Sequence, residues 1–198
     1  MIAIADYGAG NLASVKKALD QLGAFAVVTS DPAVVRAAQK IVLPGVGHFS
    51  ATIALESSGL RAVISDAIQR AVPFLGICVG MQWMFESSEE APETPGLGLF
   101  TGKCQHFPTN VKSPHVGWNE LNVCKPSRLL RGVGDGLFVY FSHSYRVPII
   151  DATVAECDYG DPFSAIVERQ NAYGVQFHPE KSGAAGLKLL ENFCQLPC

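Results

Sequence analysis

The sequence has no long hydrophobic run, no strong excess of either charge and no basic leader. Its most apolar stretch, residues 71–85, is shorter than the roughly 18 residues of a candidate membrane-spanning helix and is broken by Pro73 and Gly76. Lys and Arg number 15 against 18 Asp and Glu, a net charge of −3 that by itself predicts nothing about nucleic acid, and the basic stripe that nucleic-acid binding would need is absent from the sequence. The first residues are uncharged until Asp6, which does not fit a signal peptide. We therefore expect a cytoplasmic protein without a membrane or nucleic-acid partner.

Close cysteine pairs are also absent. Six cysteines are spread between Cys78 and Cys198, and none of them forms a C-x-x-C pair. Disulfide-rich secreted domains are shorter and denser in cysteine, and zinc sites usually contain a close Cys or His pair. The nearest approximations are Cys104 with His106 and Cys194 with Cys198, and both are weak. We expect no metal site, and most cysteines should be buried as small hydrophobic side chains.

The hydrophobic content supports a folded core. Hydrophobic residues make up 48% of the 198 residues, which excludes intrinsic disorder. A chain of this length can also bury enough surface to fold without a disulfide or a metal. The first half alternates short apolar runs with helical patterns, which predicts a parallel sheet with helices on both faces. Strands are expected at 1–6, 25–28, 41–43 and 74–77, and helices at 12–22, after Asp31-Pro32, and at 60–72.

The second half consists mainly of strand-like runs with short turns between them. These runs cover residues 117–123, 137–141, 153–157, 165–168 and 173–177, and a last helix is expected at 184–194. Runs so closely spaced predict a more antiparallel region that continues the same sheet. The expected fold class is therefore α/β, a single three-layer domain over residues 1–198. Its central sheet should be mixed, mainly parallel, and flanked by helices.

The clearest local signal for chemistry is Gly76-Ile77-Cys78-Val79-Gly80, between an expected strand and the helical-looking segment 81–85. This is the spacing of a nucleophile elbow, in which a sharp strand-to-helix turn exposes a nucleophile. Glycines are needed two residues to either side because larger side chains would collide in the turn. The start of the helix would also favour a thiolate at Cys78. The alternative interpretation is a buried cysteine on an ordinary tight turn.

A thiolate nucleophile needs a base, and that base needs an acceptor to orient it. Five histidines are present, and only His178, in His178-Pro179-Glu180, follows a strand pattern with a carboxylate close by. In an extended segment, His178 and Glu180 would point to the same side, about 6–7 Å apart at Cα. The alternative is a loop with a solvated carboxylate. The order nucleophile, histidine, acid favours the catalytic interpretation.

A third segment, Leu43-Pro44-Gly45-Val46-Gly47, ends another expected parallel strand and so should lie at the same sheet edge as Cys78. Its glycines would let backbone N–H groups face a developing oxyanion, a contribution of roughly 3–4 kcal/mol per donor. The N–H of Val79, directly after the nucleophile, would supply the second donor. A plain strand-to-helix turn is the alternative.

A different motif near the start of the chain competes with this interpretation. Gly8, Gly10 and Ala13 fit G-x-G-x-x-A after a strand, with Asp31 about 20 residues further on, which is the dinucleotide-binding pattern. The negative charge of Asp6 near a pyrophosphate argues against that function, as does the short chain. A thiol redox or stress protein with Cys78 as a sensor is a further alternative, but it would not need His178-Pro179-Glu180.

Taken together, the motifs resemble those of class I glutamine amidotransferases, and most closely the glutaminase subunits that serve histidine biosynthesis. The resemblance covers nearly the whole chain in the family's order. The matching segments are Asp6–Val15, Leu43–Gly47, Gly76–Gln82, Gly117–Asn119, His143–Tyr145 and Gly174–Ser182. The first of these segments argues against a related glutaminase that serves pyridoxal phosphate synthesis. One difference is Val79, where relatives often have leucine, and it changes no backbone donor.

The resemblance implies a role for each candidate site residue. Cys78 would be the nucleophile, His178 the general base and acid, and Glu180 the residue that orients it. Gly45, Val46, Gly47 and Val79 would form the oxyanion site, and Gln82, Glu90, His143, Ser144 and Tyr145 would bind L-glutamine. The glycine loop and Gly117-Trp118-Asn119 would lie near a partner. That partner would be a (β/α)8-barrel cyclase subunit that forms a heterodimer with this chain and receives ammonia, and no cofactor is implied.

Overall fold

A nine-stranded mixed sheet forms the centre of the computed structural model, which describes residues 1–134 and 136–197. In spatial order its strands are β2 (Ala26–Thr29), β1 (Ile2–Ala5), β3 (Lys40–Gly45), β4 (Phe74–Cys78), β12 (Ala172–Val175), β11 (Asp161–Arg169), β10 (Thr153–Tyr159), β7 (His115–Val123) and β8 (Leu137–His143). The first five are mutually parallel, and each pairing from β12 to β8 is antiparallel. The α/β class and the mixed sheet are thus confirmed.

Helices cover the parallel half of the sheet. They are α1 (Leu12–Gln21), α2 (Pro32–Arg36), α3 (Ile53–Ser57), α4 (Leu60–Gln69), α5 (Val79–Gln82) and α6 (Gly183–Cys194), with 3-10 turns at Phe49–Thr52 and Pro179–Lys181. A small second sheet contains β5 (Ser87–Ser88), β6 (Lys103–His106) and β9 (Tyr145–Arg146). Among the residues that the structure describes, no helix is both long and apolar enough to cross a membrane.

The core lies where parallel strands have both faces covered. Every residue of β1, β3, β4 and β12 is buried, as continuous apolar runs in a parallel sheet require. In β8 buried and outward-facing residues alternate, so its outer face carries the exposed Phe138. On the neighbouring strand β7, Trp118 is likewise exposed. The antiparallel end of the sheet therefore presents apolar side chains to solvent.

Several boundaries differ from the sequence-based expectation. Strand β3 continues through Pro44-Gly45 rather than ending before them, because Gly45 pairs with Cys78 of β4. The helix expected at 60–72 stops at Gln69, since Ala71 adopts a left-handed conformation with φ +64°. The expected cap of α2 is present, with Asp31 accepting from the Ala33 N–H at 2.8 Å. Helix α3 and strands β5, β6 and β9 are too short for their sequence pattern to reveal.

Most described cysteines are buried, as expected. Cys78, Cys104 and Cys157 are buried, Cys194 is partly buried and Cys124 is exposed, all as free thiols. Cys198, the other member of the weak terminal pair, lies outside the described residues. Over residues 1–134 and 136–197, no cluster of three or more His, Cys, Asp or Glu side chains could hold a metal ion.

Candidate active site

Cys78 occupies a strained turn between β4 and α5. Its φ of +54° and ψ of −111° lie in a region that non-glycine residues rarely adopt, and such strain is concentrated at functional sites. The glycines make the turn possible. A Cβ on Gly76 would lie 2.6 Å from the Gly80 carbonyl oxygen, and a Cβ on Gly80 would lie 1.9 Å from that of Leu43. Larger side chains at Gly76 and Gly80 would therefore collide with backbone in the turn, as predicted from the sequence.

The helix after Cys78 is shorter than the sequence suggests. It spans Val79–Gln82 instead of residues 81–85, because after Trp83 the hydrogen bonds take the three-residue spacing of a tighter turn, from the Met84 N–H to Met81 and from the Phe85 N–H to Gln82. A single helical turn carries only a small dipole, so the expected contribution of the helix to a thiolate at Cys78 is correspondingly small. The N–H groups at the start of this turn still follow the cysteine directly.

His178 and Glu180 form a buried pair next to the sulfur. His178 Nδ1 lies 3.0 Å from Glu180 Oε1, and only 3% and 0% of the two side chains are exposed. The segment is not extended through Glu180, contrary to the expectation, because Pro179–Lys181 forms a 3-10 turn that folds the carboxylate back onto the imidazole. The second ring nitrogen is left free of this contact, and the Cys78 sulfur is near enough to raise the pKa of His178.

The electrostatic environment favours a protonated His178. Burial lowers the pKa of His178, but the nearby Cys78 sulfur and the Glu180 carboxylate outweigh this effect and raise that pKa to about 10. An imidazolium between a sulfur and a carboxylate can donate a proton to a leaving group. The arrangement suits acyl transfer through a thiolate.

The strand end at Gly45 lies against the nucleophile turn. A Cβ on Gly45 would lie 2.7 Å from the Gly80 nitrogen, and equally close to the Tyr7 hydroxyl and the Val79 Cβ. Only glycine allows this contact between neighbouring strand ends. Gly47, at φ +89°, then turns the chain away from the sheet. The structure thus brings the Gly45–Gly47 segment and Val79 to the same sheet edge as Cys78.

A cavity of about 480 Å³ opens above Cys78. Ten of the twelve predicted site residues line it, namely Val46, Gly47, Cys78, Val79, Gln82, Glu90, His143, Ser144, Tyr145 and His178. The other two do not line it: Gly45, predicted as an oxyanion residue, packs against the turn at Cys78, and Glu180 lies against His178.

The expected glutamine-binding residues are held in place by hydrogen bonds. The Glu90 carboxylate accepts from the Phe49 N–H at 2.7 Å, and Gln82 Nε2 donates to the Tyr145 carbonyl at 2.8 Å. His143 Nδ1 lies 2.8 Å from the same carbonyl oxygen. Burial lowers the pKa of His143 to about 3, so this ring is neutral at pH 7. The cavity wall is therefore polar and fixed in position.

Sequence reasoning missed several residues around the sulfur. Gln176 Nε2 donates to Cys78 Sγ at 3.8 Å, and the thiol lies 4.0 Å from the Ser142 carbonyl oxygen. Asn11 Nδ2, in the glycine loop, donates to Glu180 Oε1 at 3.5 Å. The buried Tyr7 hydroxyl has no hydrogen-bond partner among the described residues. Gln176 and Asn11 lie in motifs that the sequence displays, but only the fold shows what their side chains contact.

The glycine loop belongs to this cavity. Gly10 and Asn11 line it, and Asp31, the acidic residue of the dinucleotide pattern, caps α2 instead of facing the loop. The fold and the site together define an α/β protein with a cysteine, a histidine and a carboxylate arranged for amide chemistry. Residues 3–196 match the class-I glutamine amidotransferase family, and the chain belongs to that family.

Curated relatives are similar over almost the whole chain. The imidazole glycerol phosphate synthase subunit HisH of Thermococcus kodakarensis is 50% identical, over 99% of this chain and 100% of that protein. The protein of the same name from Moorella thermoacetica is 46% identical, over 98% of this chain and 94% of that protein. The subunit HisH 1 of Methanococcus maripaludis is also 46% identical, over 99% of this chain and 100% of that protein.

Solved structures share the fold at lower sequence identity. A crystal structure of a glutamine amidotransferase superposes with a TM-score of 0.76 at 18% identity, over 97% of this chain and 98% of that chain. PurLQS from Thermotoga maritima superposes with a TM-score of 0.73 at 20% identity, over 97% and 96% of the two chains. At these identities the likeness shows the fold alone.

Proposed function

We propose that this chain is the glutaminase subunit of imidazole glycerol phosphate synthase in histidine biosynthesis. It hydrolyses L-glutamine to L-glutamate and ammonia and passes the ammonia to a cyclase subunit. The observation that carries the proposal is the buried Cys78–His178–Glu180 arrangement beneath a polar cavity. Full-length relatives named as a subunit of that synthase support the choice among glutaminases.

The reaction begins with attack of the Cys78 sulfur on the side-chain carboxamide carbon of glutamine. A tetrahedral intermediate forms and then collapses as His178 donates a proton to the departing nitrogen, so ammonia leaves and a thioester remains. The neutral His178 then takes a proton from water, which attacks the thioester carbon. The second tetrahedral intermediate collapses with breakage of the carbon–sulfur bond, so glutamate leaves and the free Cys78 sulfur and the protonated His178 are restored. No cofactor takes part in any of these steps.

The carboxamide oxygen gains negative charge in both tetrahedral intermediates. The Val79 N–H, directly after the nucleophile, is one donor for it, and the Gly45–Gly47 segment beside it supplies the other. Glu180 holds the imidazole in place and stabilises its protonated form. Gln82, Glu90 and the segment His143–Tyr145 bind the amino-acid head group and orient the carboxamide toward the sulfur.

The partner subunit is a (β/α)8-barrel cyclase, and we place its docking surface on the outer face of β7 and β8. This β7–β8 outer face contains the paired residues Val116 and Ser142, Trp118 and Tyr140, and Glu120 and Phe138. Three of its apolar side chains are more than half exposed, namely Val116 at 56%, Trp118 at 55% and Phe138 at 51%. An exposed apolar patch of this kind is typical of an interaction site. Lys181 connects this face to the cavity, because it lines the cavity and its Nζ lies over the Tyr140 ring.

This position of the partner fits the chemistry of ammonia. Ammonia released into bulk water is protonated and loses its nucleophilicity, so a partner docked beside the cavity would receive it directly. There it would help convert a phosphoribulosyl-carboxamide intermediate into imidazole glycerol phosphate and an aminoimidazole carboxamide ribotide. We place the heterodimer in the cytoplasm and treat residues 1–198 as one glutamine amidotransferase domain.

The test is glutamate release from L-glutamine by the purified chain, with and without a co-purified barrel cyclase. We expect glutamine hydrolysis in the complex, and cyclised product in proportion to the glutamate released. A complex that forms but releases no glutamate, with or without the cyclase substrate, would contradict the proposal. A flat fluorescence titration with nicotinamide and flavin cofactors is expected in the same preparation.

A further inference from the structure

Gln176 is a completely buried amide that joins the cavity wall to the nucleophile. Its side chain is 0% exposed and does not line the cavity, so it cannot touch a bound substrate. Its Nε2 donates to Cys78 Sγ at 3.8 Å, and its Oε1 accepts from Gln82 Nε2 at 3.2 Å. Gln82 and Tyr145 line the cavity, so a continuous chain of hydrogen bonds runs from the cavity wall to the sulfur.

The direction of this chain is fixed by a backbone group. The Tyr145 carbonyl can only accept, so Gln82 must present its NH₂ group to it, at 2.8 Å. The second hydrogen of that NH₂ group then faces Gln176, which must present its oxygen. The NH₂ group of Gln176 is consequently the end that faces Cys78. A flipped Gln176 amide would place two donors against each other and an oxygen against the sulfur.

We propose that Gln176 is a positioning residue, held by Gln82, that fixes the Cys78 sulfur in its reactive orientation and stabilises its negative charge. The inference rests on the proposed function, since it assigns a role in that same reaction. An N–H donor to a charged acceptor is stronger than one between neutral groups. Because the donor is fixed before substrate binds, the sulfur needs no rearrangement when glutamine arrives.

Other titratable groups around the sulfur stay in place when Gln176 is changed. They are His178 with Glu180 behind it, the Tyr7 phenol whose pKa is raised by burial and by the charge of Cys78, and the neutral His143. A change in the pH dependence of Cys78 reactivity that follows an uncharged substitution at Gln176 is therefore attributable to the missing donor.

The experiment measures alkylation of Cys78 by iodoacetamide as a function of pH, in the complex and without glutamine. Gln176→Glu keeps the acceptor for Gln82 but presents an oxygen to the sulfur, and Gln176→Met removes both polar groups. We expect each variant to alkylate roughly tenfold or more slowly at neutral pH, with the midpoint of the pH profile moved upward. Gln82→Met, which frees the Gln176 amide to flip, should shift the profile in the same direction.

The controls separate this inference from the proposed function. Gln195→Met changes an exposed glutamine far from the sulfur and should leave alkylation unchanged. Co-purification with the cyclase shows that the Gln176 variants fold and bind it, and synthesis from added ammonium salts shows that the cyclase is intact, while kcat for glutamine should fall with little change in KM. Native alkylation profiles in both Gln176 variants would overturn the inference, even if the complex is a glutaminase. Absence of glutaminase activity in the native complex would instead overturn the proposed function, whatever the alkylation profiles show.

Discussion

Glu180 Oε1 lies 3.0 Å from His178 Nδ1, and the carboxylate is completely buried behind the imidazole. Its other oxygen has no hydrogen-bond partner among the described residues. A buried carboxylate with one contact to a histidine and one distant contact to Asn11 is costly to fold. This cost is offset if the ring is protonated, as the raised pKa of His178 indicates.

Replacing Glu180 by Gln should therefore impair catalysis while preserving the geometry. The amide is isosteric, but it no longer stabilises an imidazolium and it favours the wrong ring tautomer. We expect kcat for glutamine hydrolysis to fall about 100-fold or more. Steady-state glutamate release in the complex measures it, and ammonium-dependent synthesis is the control. Unchanged glutamate release by the variant would show that Glu180 does not orient His178.

The glycines of the nucleophile turn give a prediction for stability. In Gly80→Ala the new Cβ would collide with the Leu43 carbonyl oxygen 1.9 Å away, and backbone cannot move aside cheaply. We expect the free energy of unfolding to fall by about 3 kcal/mol. Urea denaturation, read as a shift of the midpoint at constant slope, measures it. Gly134→Ala is the matched control, because its Cβ would meet no atom within 4 Å and should change stability little.

Two buried histidines predict how stability depends on acid. His115 is stacked between Tyr159 and Phe141 at ring distances of 4.0 and 4.7 Å, and burial lowers its pKa to about 4. Burial likewise lowers the pKa of His143 to about 3. The unfolded chain binds these protons near pH 6.5 and the native chain does not, so stability falls as the pH drops below 6.5. His178, whose pKa is raised, contributes to the free energy of unfolding at low pH, and this contribution is lost only as the pH rises above 6.5.

The size of this effect can be isolated with His115→Phe. Each histidine with a lowered pKa should reduce the free energy of unfolding by about 2 kcal/mol at pH 5 relative to pH 7. Phenylalanine fits the same aromatic stack and does not titrate. Between pH 7 and pH 5 the free energy of unfolding of this variant should therefore fall by about 2 kcal/mol less than that of the native protein. Chemical denaturation at pH 7 and pH 5 gives both values. Equal losses in the two proteins would show that His115 does not titrate as described.

The proposed docking surface predicts which aromatic residue matters for assembly. Trp118→Ala removes the largest side chain of the β7–β8 outer face, and we expect the Kd for the barrel cyclase to rise about tenfold or more. Phe25→Ala is the control, since Phe25 is 72% exposed but precedes the opposite edge strand of the sheet. Isothermal titration calorimetry compares them. If Phe25→Ala weakened binding and Trp118→Ala did not, the docking surface would be at the wrong end.

The sequence predicts the parts of the site that depend on local spacing. Gly76 and Gly80 around Cys78, and Glu180 two residues after His178, are visible because turn geometry acts over a few residues. The exact form of each turn was not predictable, since the single helical turn after Cys78 and the 3-10 turn at Pro179–Lys181 depend on packing against the sheet.

Contacts between distant segments could not be derived from the sequence. Gln176 reaches Cys78 across 98 positions, and Asn11 reaches Glu180 across 169. Such pairs meet only because β12 lies beside β4 and because the glycine loop returns to the same sheet edge. Topology therefore determines what surrounds Cys78, while the local pattern of glycines determines the turn on which Cys78 lies.

The role of Cys78 as the nucleophile is tested most directly by Cys78→Ala in the reconstituted complex, with synthesis of imidazole glycerol phosphate measured from glutamine and from ammonium salts. We predict that the variant loses glutamine-dependent synthesis and keeps ammonium-dependent synthesis at the native rate. Glutamine-dependent synthesis at the native rate in the variant, or loss of both activities together in a variant that still binds the cyclase, would contradict that role.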